Sequence, residues 1–340
     1  MIRFLLISLV ALMISCTGKP KKAQDSNATG SLPYPTTGSI ERLDPAINDL
    51  IDENAVIEVL AEGHQWTEGP LWIEDGQYLL YSDIPPNSIY KWSEKGGKEI
   101  YLTPSGYTGD TPRGGEPGSN GLLLDSAGTL ILCQHGDRRL ARMMSPLGDP
   151  KPIFETITEG YDQKRFNSPN DATFDSKGNL YFTDPPYGLE QNVDDPMKEI
   201  EFQGVYRLNI DGSLDIVDQQ MARPNGIDLS PDERTLYVSN SQFPPNYMKF
   251  ELNDDGEILN REVFHLTSYD KGKGAPDGLK VDRNGFIWAT GPGGVLVFHP
   301  NGKLLGRILT GEATSNCAFN ADESVLYMTC DDYLMRIRLK

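Results

Sequence analysis

Cationic side chains are scarce in this 340-residue chain: 31 Lys and Arg stand against 49 Asp and Glu, for a formal net charge of −18. That balance argues against a nucleic-acid partner, whose phosphates need a basic face. Histidine and cysteine are rarer still, at four residues each, and no C-x-x-C pair occurs. Zinc-ribbon and dithiol redox chemistry are therefore not indicated. Apolar runs with a 3.6-residue period are also missing, so helices should be few. A single long apolar stretch exists, and it is N-terminal.

That stretch, residues 1–15 (MIRFLLISLVALMIS), has one Arg followed by an apolar run too short to span a bilayer. It ends against Cys16 and resembles a bacterial lipoprotein signal, in which the cysteine becomes the lipidated N-terminus. Residues 16–40 are polar and rich in Gly, Ser, Thr and Pro, and read as a flexible tether. The expectation is an extracytoplasmic protein, facing the periplasm and held to a membrane through that anchor alone. Cys133, Cys317 and Cys330 remain. Three small buried hydrophobes is the favoured reading, and a Cys317–Cys330 bridge is the alternative.

What the chain has in quantity is turn formers, with 34 Gly and 24 Pro, and a repeat. Glu68 opens EGPLWIEDGQYLLYSD and Asn120 opens NGLLLDSAGTLILCQHG. Asn170, Asn225, Asp277 and Asn316 open matching runs, at successive intervals of 52, 50, 55, 52 and 39 residues. Each copy reads strand, tight turn, strand, with Gly, Asn and Asp in the turn. About fifty residues per four-stranded unit is the size of a propeller blade. The chain is thus expected to be all-β: a six-bladed β-propeller over residues 41–340. The last unit lacks a fourth strand, and the β-rich run at residues 55–61 can supply it, closing the ring and removing an exposed edge.

Equivalent positions in the blades of a propeller form a ring about its axis. The six opening residues all carry side-chain oxygen, with no His or Cys among them. Oxygen-only donors suit a hard cation such as Ca²⁺, which takes about six to eight oxygens; Mg²⁺ and Mn²⁺ are alternatives, and Zn²⁺ fits such a set least well. Asn-Gly and Asp-Gly are common turn dipeptides. Here they precede an apolar strand rather than join two strands, which favours the central metal site.

The runs TEGPLW, RFNSPND, TDPPYG, RPNGIDLSPD and PDGLKVD resemble the gluconolactonase branch of the senescence-marker-protein/gluconolactonase/luciferin-regenerating-enzyme-like family, over roughly residues 55–340. The resemblance implies a six-bladed propeller with a divalent metal in its channel and hydrolysis of a sugar lactone. It implies Glu68, Asn170, Asn225 and Asp277 as metal ligands, Asp277 also as the catalytic carboxylate, and Asn170 in contact with metal or substrate. Asn120 is expected to line the pocket, and the place of Asn316 is open because Cys, not Gly, follows it.

Three further candidates come from the loops. His135, in CQHGDRR, could donate to a substrate hydroxyl or an oxyanion. Arg165 could bind substrate oxygens. Tyr187, with Tyr107 and Arg113, sits in the long Pro/Gly-rich segments 103–119 and 185–203, which could shape specificity. Asp171 is a rival base, and Asp184 reads as a turn residue. Two other functions fit the same pattern: hydrolysis of another ester or a phosphotriester, and a non-catalytic propeller that binds a sugar or a partner.

Overall fold

The computed structural model describes residues 34–268 and 270–340. The signal, Cys16 and most of the tether lie outside the described residues.

Six antiparallel sheets of four or five strands carry the fold. The first blade comprises Thr67–Ile73, Tyr78–Asp83, Ser88–Ser93 and Gly97–Leu102. The second runs from Ser119–Leu124 to Phe154–Thr158, and the third from Ala172–Phe174 to Leu214–Asp218. The fourth spans Pro224–Leu229 to Ile258–Leu266 and the fifth Leu279–Val281 to Leu304–Leu309. Thr314–Phe319, Val325–Cys330 and Tyr333–Arg338 belong to the sixth. Helix among the described residues is limited to two short 3-10 turns, as the absence of helical periodicity requires.

Each first hairpin turns where expected, at residues 74–77, 125–128, 175–178, 230–233, 282–285 and 320–323, each closed by a backbone hydrogen bond of 2.8–3.1 Å. The fourth turn residue is left-handed, which Gly128, Gly178 and Gly285 adopt without strain; Gln77, Glu233 and Glu323 also take it. Between the blades lie apolar clusters. Trp288, Ile308, Cys317 and Met328 join the fifth blade to the sixth, and Trp72 stacks on Tyr327 at 5.5 Å across the junction of the first and sixth.

Closure takes the expected form. Ile57–Ala61 pairs antiparallel with Tyr333–Arg338, so both ends of the chain build the sixth blade. The boundary at residue 41 moves, because strand pairing begins earlier. Thr36–Thr37 pairs with Ile57–Ala61 at the rim of the sixth blade, and Ser39–Arg42 pairs with Leu304–Leu309 at the rim of the fifth. Residues 34–40, given to the tether on composition, thus belong to the folded unit that begins at Tyr34. The segment clips two neighbouring blades together. Gly38 makes the crossing, at φ +62°, where a Cβ would stand 2.1 Å from the Leu309 carbonyl oxygen. The three described cysteines are buried and unpaired. Cys317 lies opposite Met328, and Cys330 opposite Thr314, so the two are out of register for a bridge.

Candidate functional site

Around the axis the inner strands are stitched edge to edge. Gly121 N donates to Asn170 O at 2.8 Å, Gly226 N to Asp277 O at 3.1 Å, and Gly278 N to Ser315 O at 2.6 Å. Hydroxyls on second strands add further ties: Ser82 Oγ donates to Asn120 O at 2.9 Å and Thr183 Oγ1 to Asn225 O at 2.7 Å. This packing explains the Asn-Gly and Asp-Gly pairs. A Cβ on Gly69 would meet Asn120 O at 2.0 Å, and one on Gly226 would meet Asp277 O at 2.3 Å. The glycine lets the next blade approach, and the acidic or amide residue before it is left facing the axis.

A second device fixes the loops that enter three of the opening residues, Glu68, Asn170 and Asn225. In each, the last residue of the second strand turns its side chain back onto that loop. Asp83 accepts from Gln65 N and Trp66 N, Asp184 from Asn167 N and Ser168 N at 2.8 and 2.7 Å, and Asn240 from Arg223 N at 2.9 Å. Asp184 is therefore a buried loop anchor rather than a turn residue; desolvation pushes its carboxyl up to about 7. The signal for all three was present as an Asp or Asn followed within a few residues by Pro-Pro.

At one mouth of the channel these constraints leave a cavity of about 350 Å³. Glu68, Asn120, Asn170, Asn225 and Asp277 line it, each from a different blade, joined by Tyr187, Ser241 and Glu116. Five of the six opening residues thus converge. Asn316 is the exception: it does not line the cavity but lies against Glu68 and Asp171, with its Oδ1 accepting from Cys317 N at 2.8 Å. Desolvation raises the Glu68 carboxyl to about 8 and drives Asp277 well above the ordinary range, where Glu68 and Glu116 push it further. Asn120 Oδ1 and Asp277 Oδ1 are buried and have no hydrogen-bond partner. The Asn225 amide nitrogen is held by Ser241 Oγ at 3.1 Å, which leaves its oxygen for the cavity.

Such a set fits a divalent cation. Close, buried carboxylates disfavour one another's charge until a cation is present. Orphaned buried oxygens are rare in folded proteins, and each of these is a ready ligand. No cluster of three or more His, Cys, Asp and Glu side chains suited to a metal occurs among the described residues. A cation on the axis would rest on the carboxylates of Glu68 and Asp277, with the amide groups of Asn120, Asn170 and Asn225 lining the same cavity.

Not every candidate reaches this cavity. Arg165 does not: its guanidinium donates to Asp137 O at 2.7 Å, and the residue lines a separate groove of about 560 Å³ with Tyr107, Arg113 and Arg138. Arg113 is likewise spent on backbone carbonyls, those of Gly136 and Gly188. Tyr187 does line the cavity, with the Arg223 guanidinium 5.4 Å from its ring centre. His135 is fully buried and stands behind Glu116, its Nδ1 3.2 Å from Glu116 Oε2. Asp171 is turned away from the cavity, accepting from Ala172 N at 2.9 Å with Lys280 Nζ 3.7 Å away, and so is badly placed as a base. Glu116 was missed because nothing in a Gly/Pro-rich loop marks which side chain will face inward.

Residues 66–331 match the family model described as "SMP-30/Gluconolactonase/LRE-like region". The chain belongs to this family. It is 37% identical over 343 residues to a gluconolactonase of Zymomonas mobilis, covering 98% of this chain and 94% of that one. Among solved structures, a gluconolactonase from Xanthomonas campestris superposes with a TM-score of 0.77 at 30% identity, covering 93% of this chain and 99% of that one. A regucalcin from Agrobacterium tumefaciens, described as a calcium-binding protein, shares the fold with a TM-score of 0.65 at 19% identity, over 83% and 94% of the two chains. The fold is shared with these relatives, and in this chain five blades each bring an oxygen-bearing side chain to one cavity.

Proposed function

We propose that this chain is a lactonase that opens a sugar-derived lactone with the help of a divalent cation, Ca²⁺ by preference. The observation that carries the reading is the meeting of Glu68, Asn120, Asn170, Asn225 and Asp277 in one cavity, with buried carboxyls and orphaned oxygens on Asn120 and Asp277 that a cation would satisfy. Oxygen-only donors favour Ca²⁺, with Mg²⁺ and Mn²⁺ next. The gluconolactonase relatives support the reaction class.

When bound, the cation supplies polarisation of the lactone carbonyl and stabilisation of the tetrahedral oxyanion. The protein does the rest. Asp277 accepts the proton of the attacking water, and its position on the cavity wall, close in charge to Glu68, keeps it basic enough for the task. Glu68 holds charge, Asn170 and Asn225 complete the coordination, and Asn120 and Tyr187 orient the sugar hydroxyls. Hydrolysis of glucono-δ-lactone followed by acid release, with Ca²⁺ and with chelator, tests this. Activity should vanish with chelator and return with Ca²⁺, and Asp277→Asn should bind the ion yet lose at least about a hundredfold in kcat. Turnover that persists through chelation sinks the reading.

The N-terminal signal extends the proposal to location: lipidation of Cys16 tethers the enzyme to a membrane outside the cytoplasm. Cys16→Ser should move the protein from the membrane to the soluble extracytoplasmic fraction, and an unchanged membrane fraction would refute the anchor.

A further inference from the structure

Lactone opening creates an alkoxide on the ring oxygen, and an aliphatic alkoxide leaves poorly without a proton. None of the cation donors can supply one, since each is committed to charge or to the attacking water. A separate acidic pair does reach the cavity. Glu116 lines it, and His135 stands directly behind Glu116 with its Nδ1 3.2 Å from Oε2. The imidazole is completely buried, and neither of its ring nitrogens has a well-formed hydrogen bond. A buried, unpartnered imidazole aimed at one carboxylate is unusual in a folded protein.

The surrounding chain is built to make that meeting. Gly136, next to His135, has no room for a side chain: a Cβ would stand 2.3 Å from Pro117 O and 2.5 Å from the Tyr107 side chain. A Cβ on Gly188 would strike His135 at 2.8 Å. Gly118 N donates to Ile84 O at 3.0 Å, and Arg113 clamps the loop by donating to Gly136 O at 2.6 Å and to Gly188 O. Both Pro/Gly-rich segments are thereby folded over His135, and Glu116 is left as its outlet to the cavity.

We infer that Glu116 is the catalytic acid for the leaving ring oxygen, with His135 as the positioning residue that holds a proton in reserve behind it. The inference rests on the lactonase reading. As the tetrahedral intermediate collapses, the bond between the carbonyl carbon and the ring oxygen breaks and its electron pair goes to the oxygen. The Glu116 carboxyl, in contact with His135 Nδ1 at 3.2 Å, gives its proton to that oxygen, forming the product hydroxyl. The pair is left as carboxylate and neutral imidazole. Glu116 is about one-third solvent-exposed, so water restores its proton, while Asp277 gives the proton it took from the nucleophile back to solvent. Water and lactone enter, one hydroxy acid leaves, and no other reactant is needed.

The test is the leaving group. Glucono-δ-lactone is compared with its 5-thio analogue, which carries the same hydroxyls but expels a thiolate, whose conjugate acid has a pKa near about 8.5 and which leaves unprotonated. With the Ca²⁺-saturated protein, Glu116→Gln should lower kcat for the oxygen lactone by about a hundredfold or more, and for the thiolactone by less than about threefold, with KM little changed for both. His135→Gln should show the same selectivity with a smaller loss. Calorimetry should find Ca²⁺ affinity of Glu116→Gln within about threefold of wild type. Equal losses on both substrates, no loss on either, or a tenfold fall in Ca²⁺ affinity overturns the assignment while the lactonase reading stands. A wild-type protein inert toward both substrates would instead refute the lactonase reading and this inference together.

Discussion

The buried carboxyls of the cavity make stability and cation binding depend on pH in a direction that can be worked out. Burial lifts the Glu68 carboxyl from its ordinary 4.5 to about 8, and Asp277 moves the same way. In the metal-free protein the folded state therefore holds a proton that the unfolded state releases. Below pH 4.5 both states are protonated and the group is neutral in the balance. Between pH 4.5 and 8 the unfolded state ionises first, so the metal-free fold loses stability as pH rises. One pH unit is worth about 1.4 kcal/mol per group, which puts the loss from Glu68 alone on the order of 3–5 kcal/mol across the window. A cation reverses this, because it binds the ionised carboxylates and displaces the protons. For a fold of this size 1 kcal/mol corresponds to roughly 1.5–2 °C in Tm. The gap between Tm with saturating Ca²⁺ and Tm with chelator should therefore widen by roughly 5–8 °C between pH 5 and pH 8. Scanning calorimetry at three pH values measures it. A gap that is constant, or larger at pH 5, would show that these carboxyls do not sit together at a cation site.

Three other perturbations probe the scaffold. Gly226→Ala drives a methyl into the Asp277 carbonyl and should lower stability by about 2 kcal/mol or more, weakening Ca²⁺ binding with it, as urea melts and calorimetry would register. Removing residues 34–42 should lower Tm by several degrees and leave a folded ring, whereas removal through residue 62 takes the closing strand and should abolish the cooperative melt. Arg336, fully buried, donates to Glu58 Oε2 at 2.6 Å and also pairs with Glu94. Arg336→Met leaves Glu58 buried without a partner and should cost about 3–5 kcal/mol, with part recovered in the Arg336→Met/Glu58→Gln double variant.

How much of this the chain announces depends on whether a feature repeats. Blades repeat, so their turns and their count could be read from spacing, the strand missing from the last unit pointed to the β-rich run at residues 55–61, and five of the six axial residues follow from the same register. The Asn-Gly pairs mislead one at a time, since each looks like a turn; only their shared place before an apolar strand shows that the glycine serves contact between blades. At the sixth position Cys317 stands where that glycine would be, and Asn316, whose Oδ1 accepts from the Cys317 N–H, does not line the cavity. What does not repeat is hidden. Arg165 sits in a two-residue strand paired with Gly160–Tyr161, Glu116 lies in an irregular segment, and the composition around both suits a binding loop. Only the folded path separates them: backbone carbonyls capture Arg113, Arg138 and Arg165 to fasten the loops, and the carboxylate of Glu116 is the group those clamps deliver to the axis. The two short strands within residues 36–42 escaped for a similar reason. Their Thr, Gly and Ser content is that of a linker, and they are ordered by the unpaired edges of two blades rather than by any propensity of their own. The cavity of this propeller is therefore built from two sources: a periodic ring that supplies five of its side chains, and aperiodic loops that place Glu116 and Tyr187 beside them.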